Sequence, residues 1–381
     1  MKRSQKKKSD PIGRAVVKVG SNVLTAQAGL NLEAIASISG QICQLMDQGI
    51  QVILVSSGAM ASGMKKMGLT KRPEAIPRRQ AIAAIGQAGL IREWEKSFDR
   101  FDRKVAQILL TSDDLTSRKR YLNARNTINT LLEWQVVPII NENDTIMVEE
   151  IKLGDNDNLA AMMALLVDAD IFINLTDIDG LYDKDPRVYP DARLIPRVAI
   201  YSKNIEKYAG DIPGALGTGG MLSKIKAARK VTASGIPMVI ARGYRPDILI
   251  RLAAGEAQGT FFAPREQRLN RKKCWIGYTV NPQGTLRVDA GAARALMNSG
   301  KSLLPSGIVD VQGQFPVGAV VAIATEGGRL IGSGLVNYNA EAIRTIMGLK
   351  TNQIKVRLGQ KTYDEVIHRD NLVITGEPEA V

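Results

Sequence analysis

Histidine is almost missing from this chain: there is one in 381 residues, His368, and it lies near the C-terminus. A histidine general base or a histidine-rich metal site is thereby excluded for most of the sequence. Cysteine is scarce too. Cys43 and Cys274 stand far apart, and Cys43 falls on what reads as a buried helix face, so no disulfide is expected. No run of about 18 apolar residues occurs, which excludes a membrane-spanning helix. The basic N-terminus, MKRSQKKKSD, has no uncharged apolar stretch behind it, because Lys18 and Gly20 interrupt the next segment. It reads as a solvated tail rather than a signal peptide. The expectation is a cytoplasmic protein whose chemistry runs on Lys, Asp, Asn, Ser, Thr and backbone groups.

What is present is a chain that is 45% hydrophobic, with a net charge of +13. The length suggests two or three domains, and the charge could attract either nucleic acid or an anionic small molecule. From Arg14 to Phe262, β-type runs alternate with helical patterns. The runs are AVVKVG, QVILVSSG, VAQILLT, VVPIIN, IFINLT and PMVIA. Leu32, Ile35, Ile38, Ile42, Leu45 and Met46 fall at helical spacing after the first of them. The strands lack a polar face. This predicts an α/β fold with a mostly parallel sheet sandwiched by helices, and a ligand site at the C-terminal ends of the strands. After Arg265 the texture changes. RLNRKKCW is basic, and then come many glycines and short β-type runs such as TLRVD, GAVVAIA and LIGSGLV. The predicted organisation is a basic tail over 1–13, an α/β domain over 14–262, a linker over 263–272 and a small β-rich barrel domain over 273–375.

Polar and small residues gather where the strands end: Lys18-Val19-Gly20-Ser21, Ser56-Ser57-Gly58, Asn141-Glu142-Asn143-Asp144 and Thr176-Asp177. The string Gly217-Thr-Gly-Gly-Met-Leu-Ser-Lys224 opens a helical run. Glycine-freed N–H groups at a helix start make an anion nest, although a flexible loop with a solvated lysine would look the same. Asp155-Asn156-Asp157-Asn158 precede a strongly apolar helix. One capping residue would suffice there, and four suggest that the helix start also holds something else. Two other kinase-like strings fail on context. Ala295–Ser302 follows a helical run and precedes a proline, so it is no P-loop and Gly300 reads as a helix C-cap. His368-Arg369-Asp370 has no glycine-rich loop or DFG before it. Lysines, a glycine nest and carboxylates fit phosphoryl transfer, which needs positioning and charge neutralisation. A carboxylate acceptor would need no base, because it is already ionised at pH 7.

In order along the chain, VVKVGSNVLT, VSSGAMASG, INENDTI, KLGDNDNLAA, LTDIDGLYDKDPR and GTGGMLSK resemble the signatures of the amino acid kinase family. INENDTI together with KLGDNDNLAA is similar to those members that phosphorylate L-glutamate. RKKCWIG, GKSLLPSGI and VIHRD look like the PUA domain that many bacterial members carry. The resemblance implies an amino acid kinase fold and transfer of a phosphoryl group from ATP, with Mg²⁺, to the γ-carboxylate of L-glutamate. This is the first step towards proline, with proline as feedback inhibitor. It implies Lys18 and Lys224 as the cations on the transferring group, with Asp155 orienting them. Lys18, Thr176, Asp177 and the run Thr218, Gly219, Gly220, Met221, Leu222, Ser223 and Lys224 would hold ATP. Ser57, Asp144, Asn156 and Asp157 would bind glutamate: the acids would take its ammonium, and Asn156 would donate to a carboxylate. No protein ligand of Mg²⁺ is assigned. Leu222-Ser223 departs from the family pattern, which favours a small residue and Thr there. The resemblance implies a homo-oligomer and allows coupling to the next enzyme of proline synthesis without requiring it. The rival readings are another carboxylate kinase of the same family and an RNA-binding protein acting through the PUA domain.

Overall fold

The computed structural model describes residues 12–26, 29–146, 156–199, 203–209, 220–265, 269–359 and 363–375. Asp155, Thr218, Gly219 and nearly all of the N-terminal tail lie outside them. The chain divides into two units, Met1–Arg268 and Leu269–Val381.

In the first unit, the alternation of apolar runs and helical text becomes the following chain order: β1 (Arg14–Val19), α1 (Ser21–Leu24), β2 (Thr25–Ala26), β3 (Gly29–Leu30), α2 (Leu32–Asp47), β4 (Gln51–Ser56), α3 (Ala59–Lys66), α4 (Ile76–Asp99), β5 (Val105–Leu110), α5 (Ser112–Thr116), α6 (Arg118–Glu133), β6 (Val137–Glu142), α7 (Asn156–Val167), β7 (Ile171–Thr176), β8 (Arg197–Val198), α8 (Met221–Ala233), β9 (Met238–Arg242), α9 (Ile248–Ala253) and β10 (Thr260–Phe262). The main sheet has the order β5-β6-β4-β1-β7-β9-β10-β8. All its pairings are parallel except β9–β10. All six runs expected to be strands lie in this sheet, so their C-terminal ends open on one edge.

Side chains alternate across a strand, and here the alternation decides which residues meet. Ala15, Val17 and Val19 of β1, with Ile171, Ile173 and Leu175 of β7, share a core with Ile35, Ile38 and Ile42 of α2 and Trp94 and Phe98 of α4. The intervening residues, Lys18 on β1 and Asn174 on β7, are register partners that point to the opposite face. Helix α7 covers that face. From Leu159 to Val167 every one of its residues is buried, which is why its sequence is apolar on all sides rather than striped.

Helices α3 and α4 cross at glycines. A Cβ on Gly63 would lie 1.9 Å from the Ile82 carbonyl oxygen, and one on Gly86 would lie 1.7 Å from that of Ala59. Gly58, at the N-cap of α3, has φ 108°, a left-handed conformation that glycine adopts without a steric penalty. Gly86→Ala tests this packing by its sign. Helix propensity alone favours alanine by about 1 kcal/mol, whereas the backbone clash is expected to reverse that and cost about 1–3 kcal/mol. Thermal melts decide it, and a variant as stable as the parent would show that the helices can separate freely.

The second unit contains α10 (Arg271–Cys274), β11 (Thr285–Val288), α11 (Ala290–Ser299), β12 (Ile308–Gln312), β13 (Val320–Thr325), β14 (Leu330–Leu335), α12 (Ala340–Ile346), α13 (Ile354–Leu358) and β15 (Leu372–Ile374). Its sheet, β12-β11-β13-β14-β15, has a core of its own that includes Leu286, Val288, Val321, Ile323 and Ile331. Gly300 closes α11 with φ 56°, so Lys301 and Ser302 follow a helix end and no P-loop is built. Cys43 and Cys274 are both buried and free. Among the described residues, no helix is long and apolar enough to cross a membrane.

Candidate active site

The strand register places Lys18 beside Asn174, and the first turn of α7 brings Asp157 onto them. All three are almost fully buried. Lys18 Nζ lies 2.6 Å from Asp157 Oδ1. Lys224, in the first turn of α8, approaches the other oxygen, with its Nζ 3.1 Å from Oδ2. Asn174 donates to Oδ1 at 2.8 Å, and the Ser223 hydroxyl lies 2.6 Å from Oδ2. Burial opposes ionisation of Asp157, but the two ammonium groups and the hydrogen bonds outweigh it and hold its carboxyl well below the ordinary range. One carboxylate thus fixes two lysines at the mouth of the sheet.

Asp155, expected to orient the two lysines, lies outside the described residues; among those described, Asp157 bridges Lys18 and Lys224. Both Asp157 oxygens are taken by protein partners, which differs from the expected contact with the substrate ammonium. The reason is helix geometry. Successive residues at a helix start face different neighbours, and Asp157 is turned to the sheet, towards Lys18 and Asn174.

Asn156 faces the next strand along. Its side-chain NH₂ donates to Asn141 Oδ1 at 2.9 Å and to Ser57 Oγ at 3.0 Å, with the Ser56 carbonyl at 3.4 Å. The donors expected to meet a carboxylate are therefore used within the protein, and Asn156 Oδ1 is left buried with no partner. Asn141 in turn donates to Gln87 Oε1 on α4 at 2.9 Å. Ser56 is held by Trp94, whose indole N–H donates to its hydroxyl at 2.9 Å. Asp144 lies beyond the end of β6 and is half-buried. Burial pushes its carboxyl up to about 6, although the Arg72 guanidinium pulls the other way. A cavity of about 250 Å³ opens here, lined by Gln87, Gln107, Glu142, Asn143 and Asp144.

At the end of β7, the Thr176 hydroxyl donates to Asp177 at 3.0 Å, and the Asn22 amide donates to the other oxygen at 2.8 Å. Burial works against ionisation of Asp177, yet these donors prevail and keep its carboxyl below the usual range. Helix α8 has Gly220 at its N-cap with no side-chain cap, and a helix start of this kind offers N–H groups and partial positive charge to an anion. Met221, Leu222 and Ser223 form that first turn, with Leu222 exposed. Among the described residues, no group of three or more His, Cys, Asp or Glu is arranged to hold a metal ion.

Three residues of this network escaped the sequence reading: Gln87, Asn141 as an orienting group, and Asn174. The signal for Asn174 was present, as a lone amide inside the apolar strand IFINLT. Gln87 carried none, because its partner lies 54 residues away.

Comparison with known proteins agrees with this architecture. The profile of the Amino acid kinase family matches residues 13–242, and that of the PUA domain matches residues 284–358. Similar curated proteins include the glutamate 5-kinase of Caldanaerobacter subterraneus subsp. tengcongensis, 52% identical over 95% of this chain and 97% of its own. That of Syntrophus aciditrophicus is 50% identical over 95% and 94%, and that of Meiothermus ruber is 50% identical over 96% and 97%.

Proposed function

Since the chain belongs to the amino acid kinase family, we propose that it transfers the γ-phosphoryl group of ATP to the γ-carboxylate of L-glutamate, giving γ-glutamyl phosphate and ADP. This would be the first step of proline synthesis. The observation that carries the reading is the buried Lys18–Asp157–Lys224 bridge at the strand ends. In the transfer, a carboxylate oxygen of glutamate forms a bond to the γ-phosphorus and the bond to the ADP oxygen breaks. No proton has to move, because the acceptor is already ionised, which suits a site without histidine. The obstacle is repulsion between anions, and two preorganised ammonium groups in a buried site lower it. Mg²⁺ enters as part of the nucleotide substrate and supplies further charge neutralisation on the phosphates. Gly220 to Lys224, with Thr176 and Asp177, would hold the nucleotide. Asp144, Asn156 and Ser57 would hold glutamate, with Asp144 on its ammonium.

A hydroxamate assay with ATP and Mg²⁺ tests the reading. Glutamate is expected to yield product, and aspartate and N-acetylglutamate to yield little. No product with glutamate would overturn it. Proline resembles cyclised glutamate and presents the same ammonium and α-carboxylate, so it is read as an inhibitor. In the same assay it is expected to raise KM for glutamate and leave kcat unchanged.

The raised Asp144 carboxyl gives this function a pH signature. Below pH about 6 the group is protonated and loses its attraction for an ammonium. The kcat/KM for glutamate reports groups of the free enzyme, so it is expected to fall below that pH. At saturating glutamate the bound ammonium favours the carboxylate form, and kcat should hold further into acid. A kcat/KM that stays level from pH 8 to 5 would remove Asp144 from the binding site.

A further inference from the structure

The free oxygen of Asn156 and the amide chain behind it point to one more residue. Both hydrogens of the Asn156 amide have acceptors in Asn141 Oδ1, Ser57 Oγ and the Ser56 carbonyl. Turning the amide over would set its oxygen against two acceptor oxygens that have no hydrogen to give, so its orientation is fixed. Asn141 is fixed in the same way. Its oxygen accepts from the Glu142 N–H at 2.9 Å, which leaves its NH₂ to donate to Gln87 Oε1 at 2.9 Å. Gln87 sits on α4, at the wall of the 250 Å³ cavity that also holds Asp144. The chain Gln87–Asn141–Asn156–Ser57 therefore runs from that cavity to the mouth of β4, and within it Asn156 Oδ1 is a buried acceptor with no donor. A buried acceptor left unmatched is unfavourable, and a ligand bringing N–H donors satisfies it.

We propose that Gln87 is a positioning residue: through Asn141 it holds Asn156 as a hydrogen-bond acceptor for the ammonium of the amino acid substrate. This rests on the function proposed above. Gln87 touches no reacting atom, so its loss should act on glutamate affinity and leave chemistry and nucleotide binding alone.

Two variants separate this role from mere packing. Gln87→Met has nearly the same volume and no acceptor for Asn141. It is expected to raise KM for glutamate about fivefold, the effect of one neutral hydrogen bond, with kcat and KM for ATP unchanged. Gln87→Glu keeps an acceptor oxygen in place and is expected to return KM for glutamate to near the parent value. A packing defect would instead move both variants together, along with KM for ATP and the melting temperature. An unchanged KM in Gln87→Met, or a Gln87→Glu variant that behaves like it, would overturn the inference. A parent protein that does not phosphorylate glutamate at all would instead overturn the proposed reaction, so the two failures are distinguishable.

Discussion

Lys224→Ala is expected to lower kcat by about 10²–10³ while the protein stays folded. The magnitude is that of removing one preorganised donor aimed at charge that develops in the transition state. The expectation of an intact fold comes from the geometry. Asp157 keeps Lys18 at 2.6 Å, Asn174 at 2.8 Å and Ser223 at 2.6 Å when Lys224 is gone. The carboxylate therefore stays paired, and the severe cost of an isolated buried charge is avoided. KM for glutamate should change little, because Asp144, Asn156 and Ser57 lie on other elements. Steady-state kinetics with circular dichroism would settle it. A kcat within about threefold of the parent would mean that Lys224 only balances Asp157 and takes no part in transfer.

The sequence carried the fold almost completely, because strands buried on both faces have a strong apolar signature and helix α2 a clear period. The site was legible as a set of strand ends: Lys18, Ser57, Asn141 to Asp144 and Thr176-Asp177 all border one edge of the sheet. What could not be read was which member of Asp155-Asn156-Asp157-Asn158 faces which neighbour. A shift of one residue in the start of α7 rotates every side chain by about 100°, and helix boundaries are uncertain by one or two residues. That is how Asp157, expected at the substrate, comes to bridge Lys18 and Lys224 in the fold. The amide chain was hidden for a different reason. Gln87, Asn141 and Asn156 lie on three elements, and only tertiary packing makes them neighbours. Even the direction of Asn156 reverses once Asn141 is known to accept from it. Capping alone does not account for the four polar residues either. Asn158 accepts from Lys230 of α8 and so ties the two helices together.

Asp157→Asn is expected to injure both activity and stability, and its pH dependence separates this bridge from an ordinary surface ion pair. The variant preserves volume but leaves two buried ammonium groups, Lys18 and Lys224, around a neutral amide. Removing one partner from a buried ionic cluster costs about 3–5 kcal/mol, far more than an exposed salt bridge, whose worth is about 0–1 kcal/mol. The carboxyl titrates well below its ordinary range in the folded protein, while in the unfolded chain it titrates near ~3.9. A depressed folded value means that its stabilisation is complete above the unfolded value and is lost as pH falls towards the folded one. The stability gap between parent and variant should therefore stay level from pH 8 to about 5 and narrow only below about 4. The fall in kcat should match or exceed that of Lys224→Ala, because both lysines lose the carboxylate they share. Urea unfolding across this pH range, with kinetics at pH 7.5, provides the measurement. A variant within about 1 kcal/mol of the parent at neutral pH would show that the bridge does not hold the fold. A stable variant with near-parental kcat would show that the lysines reach their places without it.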